Sequence, residues 1–316
     1  MKPVVLALVG PTGSGKTQTA IRLCRALNAE IVSMDSMQVY RGMDIGTAKP
    51  TREELAAATH HMIDVVEPDQ MFTVSMYREM ACEAIDDILA RGRTPLLVGG
   101  TGLYLQAISY EMSLGDNGAD RSLREELHRI ADEKDGPQRL HDRLQKVDPA
   151  TAQKLHPHDI RRVIRALEIY ETSGRAKSEQ AGEQRREGPY HVLVYGLSLP
   201  REQMYARINA RVDEMVKNGL VEEVKGLLDR GIEPRPEGGA MQALGYKEIV
   251  SALRGEMTME RAVELIKQGS RRYAKRQWTW FRHDPRTRWF DWTAYASRDA
   301  LIDDLLRQIR EDIQEA

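Results

Sequence analysis

The chain has 316 residues, 30 % charged and 41 % hydrophobic, and a net charge of −2 from 46 Lys and Arg against 48 Asp and Glu. That length admits about two domains, and so even a charge balance means that any polyanion site must arise by local clustering. Two distant cysteines, Cys24 and Cys82, argue against a disulfide scaffold or structural zinc; no apolar run nears the roughly 20 residues of a membrane span, and no signal-peptide pattern precedes Gly10, so a cytoplasmic protein is expected.

Val4–Val9 reads as a strand that runs into Gly10-Pro11-Thr12-Gly13-Ser14-Gly15-Lys16-Thr17, and a helical pattern follows. This is the spacing of a phosphate-binding loop. Its glycines let several backbone N–H groups aim at one point, and the helix start adds a positive dipole end. Lys16 supplies a charge for phosphate oxygens and Thr17 a hydroxyl for a magnesium ion. The loop therefore predicts binding of a di- or triphosphate without saying which.

Further strands are expected at Glu30–Met34, at Ile63–Val66 as a short third, at Pro95–Val98 and at His191–Leu199, with helices at 17–27, 73–91 and 103–110. Near-continuous apolar strands separated by helices predict an α/β fold with a parallel sheet covered on both faces. The phosphate loop, Asp35 and Thr101 then share one rim, at the C-terminal strand ends where such sheets bind ligands. From 113 to 190 the chain turns highly charged and helical, with loops at Gly115–Gly118, Gly136-Pro137 and Gly174–Gly188. It reads as a helical insertion into a core of residues 1–112 and 191–316. After it the pattern is helical to the end, with breaks at Gly231–Gly239 and Asp284–Arg288.

Asp35 is placed to hold magnesium or to act as a general base, against the plainer reading of a turn cap. Thr101, in Gly99-Gly100-Thr101-Gly102, either donates to a ligand or caps the next helix. His60 and His61 read as hydrogen-bonded structural histidines, because adjacent rings diverge and no third ligand is suitably spaced. Arg207 and Arg211 share a helical face that suits a phosphate clamp or a solvated surface. Between 267 and 282, Lys267, Arg271, Arg272, Lys275, Arg276 and Arg282 interleave with Tyr273, Trp278, Trp280 and Phe281. Such a run suits phosphate neutralisation and base stacking.

The phosphate loop followed by Asp35-Ser36-Met37-Gln38-Val39-Tyr40-Arg41-Gly42-Met43-Asp44-Ile45-Gly46-Thr47-Ala48-Lys49-Pro50 resembles the tRNA dimethylallyltransferases, also called tRNA isopentenyl transferases. His60–Asp64, Gly99–Tyr104, Asp159–Val163, Arg207–Met215, Gln242–Glu248 and Arg271–Arg282 match in the same order, over nearly the whole chain. Met37 and Met43, and the stretch Gln70–Ser75, depart from the pattern. The absence of a C-terminal zinc finger makes the chain similar to the bacterial form.

The resemblance implies a P-loop NTPase-like core that is not a kinase. It implies transfer of a dimethylallyl group from dimethylallyl diphosphate to N6 of the adenine 3′-adjacent to the tRNA anticodon. On that basis residues 10–17 and Arg211 bind the diphosphate, Mg2+ sits at Thr17, and Asp35 is the general base, with Lys16, Arg211 and Thr101 also catalytic. Thr101 and Gln38 would help hold the target adenine, and Asp35, Ser36 and Met37 would also bind the tRNA. Asp159, Ile160, Arg161, Arg162 and Val163, with Arg271, Arg272 and Arg276, would meet the rest of the tRNA. A monomer is implied, with no protein partner. A small-molecule kinase using ATP, and an isopentenyltransferase acting on free adenine nucleotides, are the alternatives.

Overall fold

Strand β1, Val4–Val9, is apolar at every position because both of its faces are covered. Side chains alternate across the pleat. Val5, Ala7 and Val9 enter a core with Tyr77, Ile85 and Ile108, from the helices Val74–Ala90 and Gly102–Ser109. Leu6 and Leu8 enter another, with Leu23, Leu301 and Leu305 from the helices Lys16–Leu27 and Arg298–Glu315. The computed structural model describes residues 2–111, 121–182, 186–235 and 238–316.

Strand β2 is Ala29–Met34, β3 His60–His61, β4 Thr94–Gly99, β5 His191–Ser198 and β6 Thr287–Asp291. They form one sheet in the order β3-β2-β4-β1-β5-β6, every neighbouring pair parallel. This is the α/β class expected from the apolar runs. Its central register pairs Val9 with Gly99 and Met34 with Gly99. The strand ends that lead into the phosphate loop, Asp35 and Thr101 therefore lie side by side.

Two strand expectations change. Ile63–Val66 is not a strand: Met62 and Asp64 take φ of 64° and 55°, left-handed values that break extended backbone, and Val66 makes only an isolated bridge to Tyr40. The third strand is His60–His61 instead. A helical pattern was expected to the C-terminus, yet Thr287–Asp291 adds an edge strand to β5, with Phe290 buried and Arg288 turned outward onto Asp312.

The chain forms two compact units: 1–110 with 187–316, and 111–186. The insertion thus ends at Arg186 rather than 190, since Gly188 donates to Ser109 and the Tyr190 hydroxyl donates to Asp86 at 2.8 Å, both within the first unit. The expected loop at Gly115–Gly118, residues 183–185 of the loop Gly174–Gly188 and residues 236–237 of the break at Gly231–Gly239 lie outside the described residues. The rest of Gly174–Gly188 contains a short helix, Lys177–Gly182.

The second unit packs the helices Arg121–Asp132, Gly136–Val147 and Ile160–Ser173 around Leu127, Leu140, Leu144, Val163, Ile164 and Leu167. Inside it the buried Glu168 carboxylate is held by Arg124 and Arg165. The first unit has a further core in which Val39, Tyr40 and Met43 meet the helices Leu220–Asp229, Tyr246–Leu253 and Met259–Arg282. Among the described residues no helix is long and apolar enough to cross a membrane.

Candidate active site

The loop Gly10–Thr17 leads into the helix Lys16–Leu27 with Gly15 at the N-cap, φ 89°, and no side chain caps the first turn. The opening N–H groups are thus left for an anion. Trp292 Nε1 donates to the Ser14 carbonyl at 2.8 Å, and a Cβ on Gly15 would stand 3.3 Å from the Trp292 ring. A trans peptide points its N–H opposite to its carbonyl. Anchoring Ser14 O on Trp292 therefore turns the Gly15 N–H the other way.

Lys16 Nζ donates to the Gly10 carbonyl at 2.9 Å and the Pro11 carbonyl at 2.8 Å. Burial, then the nearby Arg211 charge, pull the ammonium down from its ordinary 10.5 to about 7, with Asp35 opposing. An anion in the loop would reverse that shift. Arg211 donates to Thr12 Oγ1 and to the Ala48 carbonyl, both at 3.3 Å, and burial likewise lowers its guanidinium. Arg207, one turn earlier, is exposed and lines the same cavity.

That cavity, of about 400 Å³, is lined by Thr12, Lys16, Thr17, Asp35 and Arg211 among others. A second cavity, of about 600 Å³, is lined by Met37, Ile208, Val212, Leu265, Arg272 and Arg276, with Ser36 also on its wall. Thr12, Asp35, Thr47, Ala48, Arg211 and Tyr273 line both. Asp35 and Arg211 thus face a phosphate-loop cavity on one side and a more apolar, basic-rimmed one on the other.

Asp35 does act as a turn cap, and has capacity left. Its Oδ1 accepts from Met37 N–H at 2.8 Å and Gln38 N–H at 3.3 Å, while Oδ2 accepts from none of the described residues. Gln38, expected at the adenine, has a structural task here: Nε2 donates to the carbonyls of Thr47 and Ala48, and Oε1 accepts from Ser33. Both of its N–H donors are engaged, so holding a base would require exchanging one of them. Thr101 is the N-cap of the helix Gly102–Ser109 but makes no capping bond. Its hydroxyl is buried without a hydrogen-bond partner of standard geometry, beside the Tyr273 phenol, and it lines neither cavity. Burial, then the Asp35 charge, push the Tyr273 phenol up to about 12.

The basic run 267–282 lies within one helix, and its faces differ. Lys267 pairs with Asp213 at 2.7 Å and Arg271 donates to Asn209 at 2.6 Å. Phe281 is in the core. Arg282 lies over Trp278, and Arg276 lies over Tyr273. Only Arg272 and Arg276 of the three expected tRNA contacts line a cavity.

In the second unit, Asp159 precedes the helix Ile160–Ser173 and pairs with the exposed Arg162 at 3.3 Å. Val163 is fully buried in that unit's core, so its side chain offers nothing to an RNA; Ile160 packs partly against the same core. Arg161 follows Ile160 in the first turn of that helix. His60 bonds the Ala58 carbonyl and His61 the buried Glu30 carboxylate, each at 2.7 Å.

Two residues that the sequence did not single out shape this site. Glu223 accepts from the N–H groups of Asp44, Ile45 and Gly46 at 2.7 to 3.1 Å and from the Tyr246 hydroxyl at 2.6 Å. It fixes the loop whose Ala48 carbonyl receives Arg211. Gln277 is the other, bonded to Thr12 N–H and the Gly100 carbonyl. Neither carries a local sequence signal, since each acts on a loop far away in the chain.

A magnesium ion fits the donor chemistry present. The Thr17 hydroxyl and the Asp35 carboxylate are hard oxygens of residues that line the same cavity, and Mg2+ takes few protein ligands, completing its shell with water and substrate phosphates.

Comparison with known proteins points to one family. A family model described as IPP transferase matches residues 38–284. A tRNA dimethylallyltransferase of Oceanobacillus iheyensis is 45 % identical over 99 % of this chain and 97 % of its own. One of Halalkalibacterium halodurans is 48 % identical over 93 % and 92 %. The crystal structure of a full-length tRNA isopentenylpyrophosphate transferase from Bacillus halodurans superposes with a TM-score of 0.74 at 44 % identity, covering 100 % of this chain and 98 % of that one. A eukaryotic dimethylallyltransferase acting on tRNA gives 0.78 at 32 %, over 92 % and 74 %.

Proposed function

The chain belongs to the IPP transferase family, and from that premise we propose that it transfers a dimethylallyl group from dimethylallyl diphosphate to N6 of the adenine 3′-adjacent to a tRNA anticodon. One observation carries the reading: Asp35 and Arg211 line both the phosphate-loop cavity and the cavity that Arg272 and Arg276 border. The diphosphate then occupies the first cavity and the adenine enters from the second, with Asp35 where they meet.

In the reaction the N6 nitrogen forms a bond to the first carbon of the dimethylallyl group as that carbon's bond to oxygen breaks. The bonding pair leaves with the diphosphate, and the N6 proton passes to Asp35 Oδ2. An exocyclic amine is a weak nucleophile because its lone pair is delocalised into the ring, so a positioned base lowers the barrier. The loop N–H groups, Lys16 and Arg211 stabilise the charge that develops on the leaving oxygen. Lys16 must first exchange its bonds to Gly10 and Pro11 for phosphate oxygens. Mg2+, held by the Thr17 hydroxyl and the diphosphate, would supply further charge neutralisation. The Thr101 hydroxyl lines neither cavity and acts on the adenine side only through the Tyr273 phenol beside it, which lines both. The target base must leave its stack to reach the site. Arg161 and Arg162 of the second unit supply phosphate contacts to the anticodon stem. An enzyme with this substrate works in the cytoplasm, and as a monomer.

The test offers labelled dimethylallyl diphosphate with magnesium to unmodified tRNA and, separately, to AMP, and in a third arm replaces that donor with labelled ATP. Label in tRNA alone is expected. Label in AMP, or phosphate transfer from ATP, would replace this reading with one of its alternatives.

A further inference from the structure

Gln277 lies on the buried face of the helix Met259–Arg282, toward its C-terminal end and one turn beyond Tyr273, and is 6 % exposed. Its Oε1 accepts from Thr12 N–H at 2.9 Å, and its Nε2 donates to the Gly100 carbonyl at 3.1 Å. One partner is an obligate donor and the other an obligate acceptor, so the amide has a single satisfied orientation. A Cβ on Gly100 would stand 1.9 Å from Gln277 Nε2, so position 100 admits this amide only as glycine.

The Gly100–Thr101 peptide is held from both sides. Its carbonyl faces Gln277, and its N–H donates to the Met34 carbonyl at 3.1 Å. Met34 is the residue before Asp35. One side chain therefore joins the diphosphate loop, through Thr12, to the turn that carries Thr101, and that turn is joined to the strand end that carries Asp35. These groups come from β1, β4 and β2, and the described residues offer no other side chain bonded to both loops.

We propose that Gln277 is a positioning residue that sets the distance between the leaving diphosphate and the acceptor-side groups. The proposal rests on the function given above. Misplacing reacting groups by about 1 Å can cost on the order of 100-fold in rate, so the role should fall on kcat rather than on binding.

The two variants that test it are Gln277→Met, which has similar length and neither polar group, and Gln277→Glu. When ionised, the latter keeps an acceptor for Thr12 but opposes an oxygen to Gly100 O. When protonated, it restores both bonds. Each is compared with wild type for tRNA prenylation from pH 5.5 to 9, alongside melting temperature and the Kd values for inorganic diphosphate and tRNA. Gln277→Met is expected to lose about 10- to 100-fold in kcat at every pH, with Kd values within about threefold of wild type. Gln277→Glu is expected to match that loss at high pH and to recover, relative to wild type, as the pH falls. A wild-type kcat in Gln277→Met, a Gln277→Glu deficit independent of pH, or loss of affinity for both ligands in both variants would overturn the positioning role. A wild-type chain that prenylates nothing would instead overturn the function on which it rests.

Discussion

At the residue scale, the account turns on how Asp35 divides its two oxygens. Oδ1 holds the turn at Met37 and Gln38, and Oδ2 is left for chemistry. Asp35→Asn keeps an acceptor for that turn while removing the base. It should lower turnover by about 100- to 10,000-fold and leave tRNA affinity within a few-fold of wild type; a rate near wild type would exclude proton transfer to Asp35. Lys16 gives a pH signature. Its free ammonium titrates at about 7, below its ordinary value, chiefly through burial. A bound diphosphate stabilises the charged form, so binding takes up a proton once the free lysine has lost its own. Affinity attributable to Lys16 is then full below pH 7 and weakens by up to about tenfold per pH unit above it. Titration of inorganic diphosphate into wild type and Lys16→Met from pH 6 to 9 isolates this as the difference between the two profiles. A constant difference would show that the lysine does not change protonation on binding.

Asp35 and the loop were legible because their spacing is local. Thr101 was legible only as an alternative, cap or ligand donor; its buried hydroxyl makes no capping bond and lines neither cavity, so the structure meets neither reading directly. Gln277 and Glu223 were not legible, because their partners lie 265 and 177 to 179 residues away.

At the scale of elements, the helix Met259–Arg282 shows why a linear run misleads. Its cations look like one patch in sequence, but a period of 3.6 residues distributes them over different faces. Lys267 and Arg271 reach back to the helix Arg201–Lys217, through Asp213 and Asn209, while Arg272 and Arg276 border the second cavity. The double variant Arg272→Ala, Arg276→Ala should weaken tRNA binding and reduce the slope of log K against log salt by about 1 to 2. Lys267→Ala should leave that slope unchanged. Equal slope changes in both would mean that the faces do not differ in function. The sheet was legible where strands are buried on both sides and ran astray at its edges. β3 has only two residues, and β6 has five, of which only the adjacent Trp289 and Phe290 are apolar. Short edge strands carry little hydrophobic signal.

At the scale of the molecule, the chain has two separately packed units, and every residue lining the two cavities belongs to the first. The second unit's core closes on Leu144, which is fully buried among Leu127, Leu140 and Leu167. Leu144→Ala should destabilise that unit by about 2 to 5 kcal/mol, read as faster amide exchange confined to residues 121–182. Diphosphate affinity should be unchanged, and tRNA affinity reduced. Loss of diphosphate binding would show that the two units do not fold independently. This division was visible as a shift in composition near 113, whereas its far boundary was not: Tyr190 belongs to the first unit through its bond to Asp86, a contact across 104 residues.

The most direct test of the central claim is nucleoside analysis of tRNA after reaction with dimethylallyl diphosphate, with released diphosphate measured in the same sample. The account predicts one N6-prenylated adenosine for each diphosphate released, and neither product with Asp35→Asn. Diphosphate released without a prenylated adenosine in the tRNA, or a prenyl group on any other atom, would contradict it.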